Sequence, residues 1–189
     1  MRTTLILLAG LFVAGFAPRS EAQQLHGEWF KVKVAANGAG LDGESKTAVK
    51  GKIKPVVFYA QLQANEGGGG DGPSYSLICM FRNEVGEYVP SGGGQLSMLD
   101  EAETFVADLY VSGPTLPLPE MEGAPNIFSV SVNGKVKTKM KNKEVKSSRF
   151  TSLGAVSYFT NETGYFLGRA KLSMSRVPES KVPFLKEEK

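Results

Sequence analysis

Lys135, Lys137, Lys139, Lys141 and Lys143 occupy every second position of one stretch, and Lys31 and Lys33, then Lys50, Lys52 and Lys54, repeat the habit earlier in the chain. Successive side chains of an extended strand point to opposite faces, so lysines at every second position share one face. Such lysines either face solvent, where they also guard a sheet edge against pairing with another chain, or hold anions. The charge is divided along the sequence as well. Glu84 to Glu122 carries eight acids and no Lys or Arg, whereas Asn126 to Arg176 carries ten bases and two acids. The partner classes this predicts are an anionic polymer, lipid head groups or an acidic protein surface. Nucleic acid fits less well, because the lysines are not interleaved with stacking aromatics and the chain is close to neutral overall.

Other chemistry lacks its parts. His26 is the only histidine and lies close to the expected mature N-terminus, where chains are commonly loose. Ser-His-Asp and Cys-His arrangements would have to recruit it from there, and zinc sites built on several His or Cys ligands are not available. Cys79 is the only cysteine, so no intramolecular disulfide forms; it sits in the apolar run Leu77-Ile78-Cys79-Met80-Phe81 and reads as a small core residue. A carboxylate pair acting on a glycosidic bond needs only two placed acids, and that enzymatic alternative stays open. Asp100, Glu101 and Glu103 beside glycine-rich loops offer oxygen ligands for Ca²⁺, but no loop matches an EF-hand. The glycine runs Gly67 to Gly70 and Gly92 to Gly94 lack the Lys and the following helix of a phosphate cradle and read as loops. No cofactor is implied.

The elements that must carry the lysines are strands. Apolar residues alternate with period two in stretches rich in Val, Phe, Tyr and Thr and bounded by Gly, Pro, Asn or Asp. About Glu28 to Ala35, Phe30, Val32 and Val34 take one face and Trp29, Lys31 and Lys33 the other. Thr47 to Gln63 alternates in two phases that slip at Pro55, which predicts a bulge or a break there. Tyr75 to Arg82 is apolar on both faces and reads as a central strand. Short candidates at Glu87 to Val89 and Gln95 to Leu99 precede Thr104 to Val111. A proline-rich crossing, Gly113 to Pro125, reads as the link between two halves of one domain.

Asn133-Gly134 is the strongest hairpin cue in the chain. A three-residue loop with Gly134 in the left-handed position would pair Val130 with Val136 and keep one face apolar. Phe150 to Thr160 and Tyr165 to Val177 make a last hairpin, and the tail from Pro178 to Lys189 reads as unpaired. Eight or nine antiparallel strands predict an all-β fold, a β-sandwich by preference with a β-barrel as the alternative.

Residues 1 to 22 read as a secretory signal peptide: Arg2 supplies the positive start, Leu5 to Phe16 the apolar run, and Ser20 and Ala22 the small residues before cleavage. The apolar run is too short to span a bilayer. Removing Arg2, Arg19 and Glu21 with the leader leaves 167 residues with 20 bases against 18 acids, enough for one domain (23–177) followed by a tail. The expected location is the periplasm or the exterior.

Gly27-Glu28-Trp29-Phe30 resembles the G-x-W opening of lipocalins, and Arg169 in the last strand resembles the arginine that packs on that tryptophan in the family. The resemblance implies a barrel that carries a small hydrophobic molecule, its base closed by Trp29 and Arg169. It also implies that the face shared with Trp29 points into the cavity, which would fill the cavity with Lys31 and Lys33. The residues themselves favour the opposite: Phe30, Val32 and Val34 buried, and Trp29 a partly buried aromatic at a strand end. The leading expectation is therefore a non-enzymatic exported protein that binds or assembles through Lys31, Lys33, Lys135, Lys137, Lys139 and Lys141.

Overall fold

The computed structural model describes residues 25–41, 48–65, 72–83, 85–99, 103–112, 127–141, 144–160 and 165–186. Residues 1–22, Gly67 to Gly70, the Asp100-Glu101 pair, Gly113 to Pro125 and Lys143 lie outside the described residues. Eight strands follow one another in chain order: β1 (Trp29–Leu41), β2 (Ala48–Ala64), β3 (Ser74–Arg82), β4 (Tyr88–Leu99), β5 (Thr104–Ser112), β6 (Ile127–Lys141), β7 (Glu144–Thr160) and β8 (Tyr165–Val177). Each pairs antiparallel with its sequence neighbours, and β8 returns to β1 over the whole length from Trp29↔Val177 to Leu41↔Tyr165, so the sheet is a closed barrel. The preferred sandwich gives way to the barrel alternative. Closure gives every strand a partner on each side, although among the described residues the pairing of β6 with β5 ends at Lys135 and that of β2 with β3 begins at Tyr59.

Alternation decides what faces inward. Phe30, Val32, Val34, Phe58, Ala60, Leu62, Tyr75, Leu77, Cys79, Leu96, Met98, Phe105, Leu109, Val130, Phe150, Leu172 and Met174 are buried in one contiguous cluster. Their strand neighbours Lys31, Lys33, Asp108, Ser131, Lys135 and Lys137 are exposed. Three rings interlock across the interior: Phe150 meets Phe30 edge to face at 5.4 Å and Phe105 at 5.2 Å. On β1 and β6 an apolar inner face with lysines outside is the inverse of a strand that faces lipid. No helix among the described residues is long and apolar enough to cross a membrane.

The phase slip at Pro55 is a bulge. Register passes from Val34↔Val56 to Ala36↔Ile53, so Lys54 and Pro55 together oppose Ala35. Other punctuation was misleading. Gly92 to Gly94 are not a loop: they lie within β4, and the two short candidates on either side are one strand. A Cβ at Gly94 would stand 2.0 Å from the Asp108 carbonyl oxygen, so glycine there lets two strands approach.

Asn133-Gly134 is not a turn either. Both residues lie in mid-strand on β6, where Phe105↔Gly134 and Asn133↔Gly154 pair on the two sides. Gly27 and Gly86 are the described glycines with positive φ, and Gly134 is not among them, whereas the expected loop required it to be. What glycine provides here is room: its Cβ would meet the Thr151 carbonyl oxygen at 2.3 Å and the Phe105 ring at 2.5 Å. Register shifts at this point: Asn133 and Gly134 oppose Gly154 and Ser152, so Leu153 is the extra residue of a bulge on β7.

The described segments before β1 and after β8 are tied to the barrel. Leu25 is buried in the core cluster. The Gly27 N–H donates to the Leu62 carbonyl at 2.7 Å, and His26 Nδ1 accepts from the Ala64 N–H at 3.0 Å, so the segment around the single histidine is held rather than loose. Glu28 and Arg176 form a two-pronged ion pair beside Leu25, with Arg176 Nε donating to Glu28 Oε2 at 2.6 Å. The C-terminal tail adds no strand, but it is packed: two single-turn 3₁₀ helices, Glu179–Lys181 and Pro183–Leu185, bring Val182, Phe184 and Leu185 over the outside of the barrel, against Trp29, Tyr59, Met80 and Tyr88.

Candidate anion-binding face

Cross-strand register places the basic side chains. On the outer wall Lys33 lies opposite Ser173, Ser173 opposite Thr151, and Thr151 opposite Lys135, which makes one row across β1, β8, β7 and β6. The next row runs Lys31, Ser175, Arg149, Lys137. Lys31, Lys33, Lys135, Lys137, Lys139 and Lys141 are all exposed, as are Lys146, Arg149 and Lys171. Closure of β8 onto β1 therefore unites two lysine groups that stand about a hundred residues apart in the sequence. With strands about 4.8 Å apart, Lys33 and Lys135 are separated by roughly 14 Å of wall.

The electrostatics of this wall are one-sided. Glu144 is the only acid in the sequences of β1, β6, β7 and β8. Arg149 stands directly opposite Lys137, a like-charge pair of the kind that costs stability in a sheet. Ser173, Ser175 and Thr151 fill the positions between, so hydroxyl groups are interspersed with the bases. The facing wall differs. Ile78, Val106 and Tyr110 on β3 and β5 are exposed there, and Asp108 accepts a 2.5 Å hydrogen bond from Ser131 at its margin.

Arg149 was not singled out from the sequence. Its neighbour on β6 depends on where the β6–β7 connection falls, and the Asn133-Gly134 cue moved that connection to the wrong place. The alternation of Lys135 to Lys141 was legible because period two is a local property.

Trp29 and Arg169 take other places. Trp29 is 7% exposed, outside the barrel and under the tail; Phe184 meets it edge to face at 5.1 Å. Arg169 is exposed opposite Asn37, eight positions along β8 from the Val177 that pairs with Trp29, about 27 Å away. The two side chains do not come together, and the base closure implied by the lipocalin resemblance is not formed. Met80, which made β3 look covered on both faces, is covered by the tail, whereas Ile78 on the same face is 41% exposed.

Among the described residues no group of three or more His, Cys, Asp or Glu gathers where a metal ion would be held. Burial pushes the Cys79 thiol up to about 12, so it stays protonated and unreactive at neutral pH. Comparison with protein-family models, with curated proteins and with solved structures found no match to this chain.

Proposed function

We propose that this is an exported, non-enzymatic binding protein that holds an anionic partner on the outer wall formed by β6, β7, β8 and β1. The observation that carries the reading is the row Lys33, Ser173, Thr151, Lys135, with Lys31, Ser175, Arg149, Lys137 beside it. Export rests on the leader, residues 1–22 of the sequence. A protein under no demand to bind anions has no reason to set Lys137 against Arg149 without an acid between them, since a nearby carboxylate would relieve the repulsion.

The alternative carrier reading draws support from the architecture, an eight-stranded up-and-down barrel with an apolar interior. Against it, the Phe30, Phe150 and Phe105 rings occupy the interior where a ligand would sit. Retention on a sulphated matrix at low salt tests the main reading. Replacing Lys135, Lys137 and Lys139 by Gln should lower the salt concentration at which the protein elutes. Unchanged elution would reduce the lysines to solvent-facing groups. Enhanced fluorescence of an apolar dye in the native protein, competed by fatty acid, would favour the carrier instead.

A further inference from the structure

We infer that the partner is a flexible linear acidic polysaccharide that bends around the barrel wall, an inference that rests on the basic-face reading above. The bases span four consecutive strands of a closed eight-stranded barrel. Each strand turns the wall by roughly 45°, so Lys31 and Lys33 at one end of the arc diverge from Lys135 and Lys137 at the other by roughly 135°. A flat anionic bilayer touches such a cylinder along one or two strands and cannot meet both ends of the arc. A flexible chain can follow the curve, with a negative charge available at each end.

What lies between the ends favours sugar over nucleic acid. Ser173, Ser175 and Thr151 place hydroxyl groups between the ammonium and guanidinium groups, matched to a polyhydroxyl chain that carries acidic groups at intervals. Single-stranded nucleic acid binds through aromatic platforms as well as charge. Tyr110, the one aromatic among the exposed large hydrophobic residues described, stands on β5, on the other wall.

The test compares three probes on the intact mature protein: a size series of dextran sulphate oligosaccharides, vesicles of phosphatidylglycerol in phosphatidylcholine, and an oligothymidylate. Affinity for the oligosaccharides should rise with length until the chain spans the arc, about 30 Å at the height of the charged groups, and then level off. The double variants Lys31→Gln/Lys33→Gln and Lys135→Gln/Lys137→Gln should each weaken the long chain about tenfold, and should weaken the shortest member much less because it engages one end at a time. All four residues are exposed, so both variants should fold, as a urea midpoint no lower than the parent's would verify. Vesicle binding that matches the longest oligosaccharide, or tighter binding of oligothymidylate, would overturn the inference while leaving a basic binding face in place. Oligosaccharide affinity independent of length, or a long-chain affinity sensitive to one variant and not the other, would overturn it too. Failure to bind all three probes would remove the basic-face reading together with the inference.

Discussion

Phe184 closes edge to face on Trp29 at a centroid separation of 5.1 Å, so a residue from the last turn of the chain covers one from the first strand, outside the barrel. Tyr59 and Tyr88 complete the aromatic group at 5.9 and 4.9 Å from the same Phe184 ring. The tail is thus a strap across β1 to β4, with Met80 the contact on β3. Trp29 is the only tryptophan in the sequence, which makes its fluorescence a direct report on the strap. Phe184→Ala should shift the emission to longer wavelength, increase quenching by iodide and cost about 1–2 kcal/mol. Ending the chain after Val177 should give the same spectral change in larger measure with the strand signal in circular dichroism retained.

Phe150 is a more expensive side chain to lose. It is fully buried and touches Phe30 and Phe105, and the barrel wall cannot collapse onto the space it leaves. Phe150→Ala should cost about 3–5 kcal/mol by urea denaturation, more than Phe184→Ala, whose ring is half-buried. The reverse ranking would mean that the strap, not the interior, dominates stability.

How much of this was legible in the sequence follows from which features are local. The period-two alternation of Phe30, Val32 and Val34 against Lys31 and Lys33 gives strand type and facing directly, and Pro55 marks its bulge because a missing donor is a property of one residue. Asn133-Gly134 reads as a turn and Gly92 to Gly94 as a loop because glycine serves two purposes. It permits positive φ in turns, and it lets backbones or rings approach within a strand. Only the position of the Phe105 ring and the Thr151 carbonyl, both distant in sequence, tells which purpose applies at Gly134. Barrel closure, and with it the union of the two lysine groups, depends on β8 reaching β1. No window of sequence contains that pairing.

Gly134→Ala distinguishes the two roles. In a left-handed turn position, alanine costs about 1 kcal/mol through backbone strain. Within β6 the added methyl overlaps the Thr151 carbonyl oxygen and the Phe105 ring, and one of the contacts is backbone. The expected loss is therefore about 2–3 kcal/mol by urea denaturation. Shrinking the ring partner in Phe105→Leu should recover part of the penalty in the double variant, because it frees the side-chain half of the overlap.

Cys79 predicts a dependence on alkaline pH. Its thiol, ordinarily near 9.0, is pushed up to about 12 by burial in the folded chain. Between those values the unfolded chain has released a proton that the folded chain retains, so stability falls as pH rises through this window. By pH 10.5 the loss is about 2 kcal/mol. Tyr88, raised by burial and then by Tyr59, adds to the decline above the ordinary tyrosine value of 10.0. Urea midpoints measured from pH 8 to 11 should decline less steeply in Cys79→Ala than in the parent. Equal slopes would show that the thiol does not titrate as its burial demands. At pH 8 the native thiol should also resist iodoacetamide and react once urea unfolds the chain.

The like-charge neighbours Lys137 and Arg149 make a further prediction about stability rather than binding. Repulsion between them is present in the folded sheet and largely absent from the unfolded chain, so removing one charge should stabilise the barrel. Lys137→Gln should raise Tm by about 1–2 °C at low ionic strength. The gain should vanish in about 0.5 M salt, where the Debye length falls below the separation of the two charges. Thr151 stands opposite Lys135, so Lys135→Gln relieves no directly opposed pair and serves as the control, with little expected change at either salt concentration. If Lys137→Gln and Lys135→Gln stabilise alike, the repulsion belongs to the whole basic wall and not to this pair. If neither does, an acid supplied from elsewhere in the chain already balances the wall. A rise in Tm confined to Lys137→Gln, together with weaker retention on a sulphated matrix, would identify a residue that lowers the stability of the free protein and strengthens its hold on an anion.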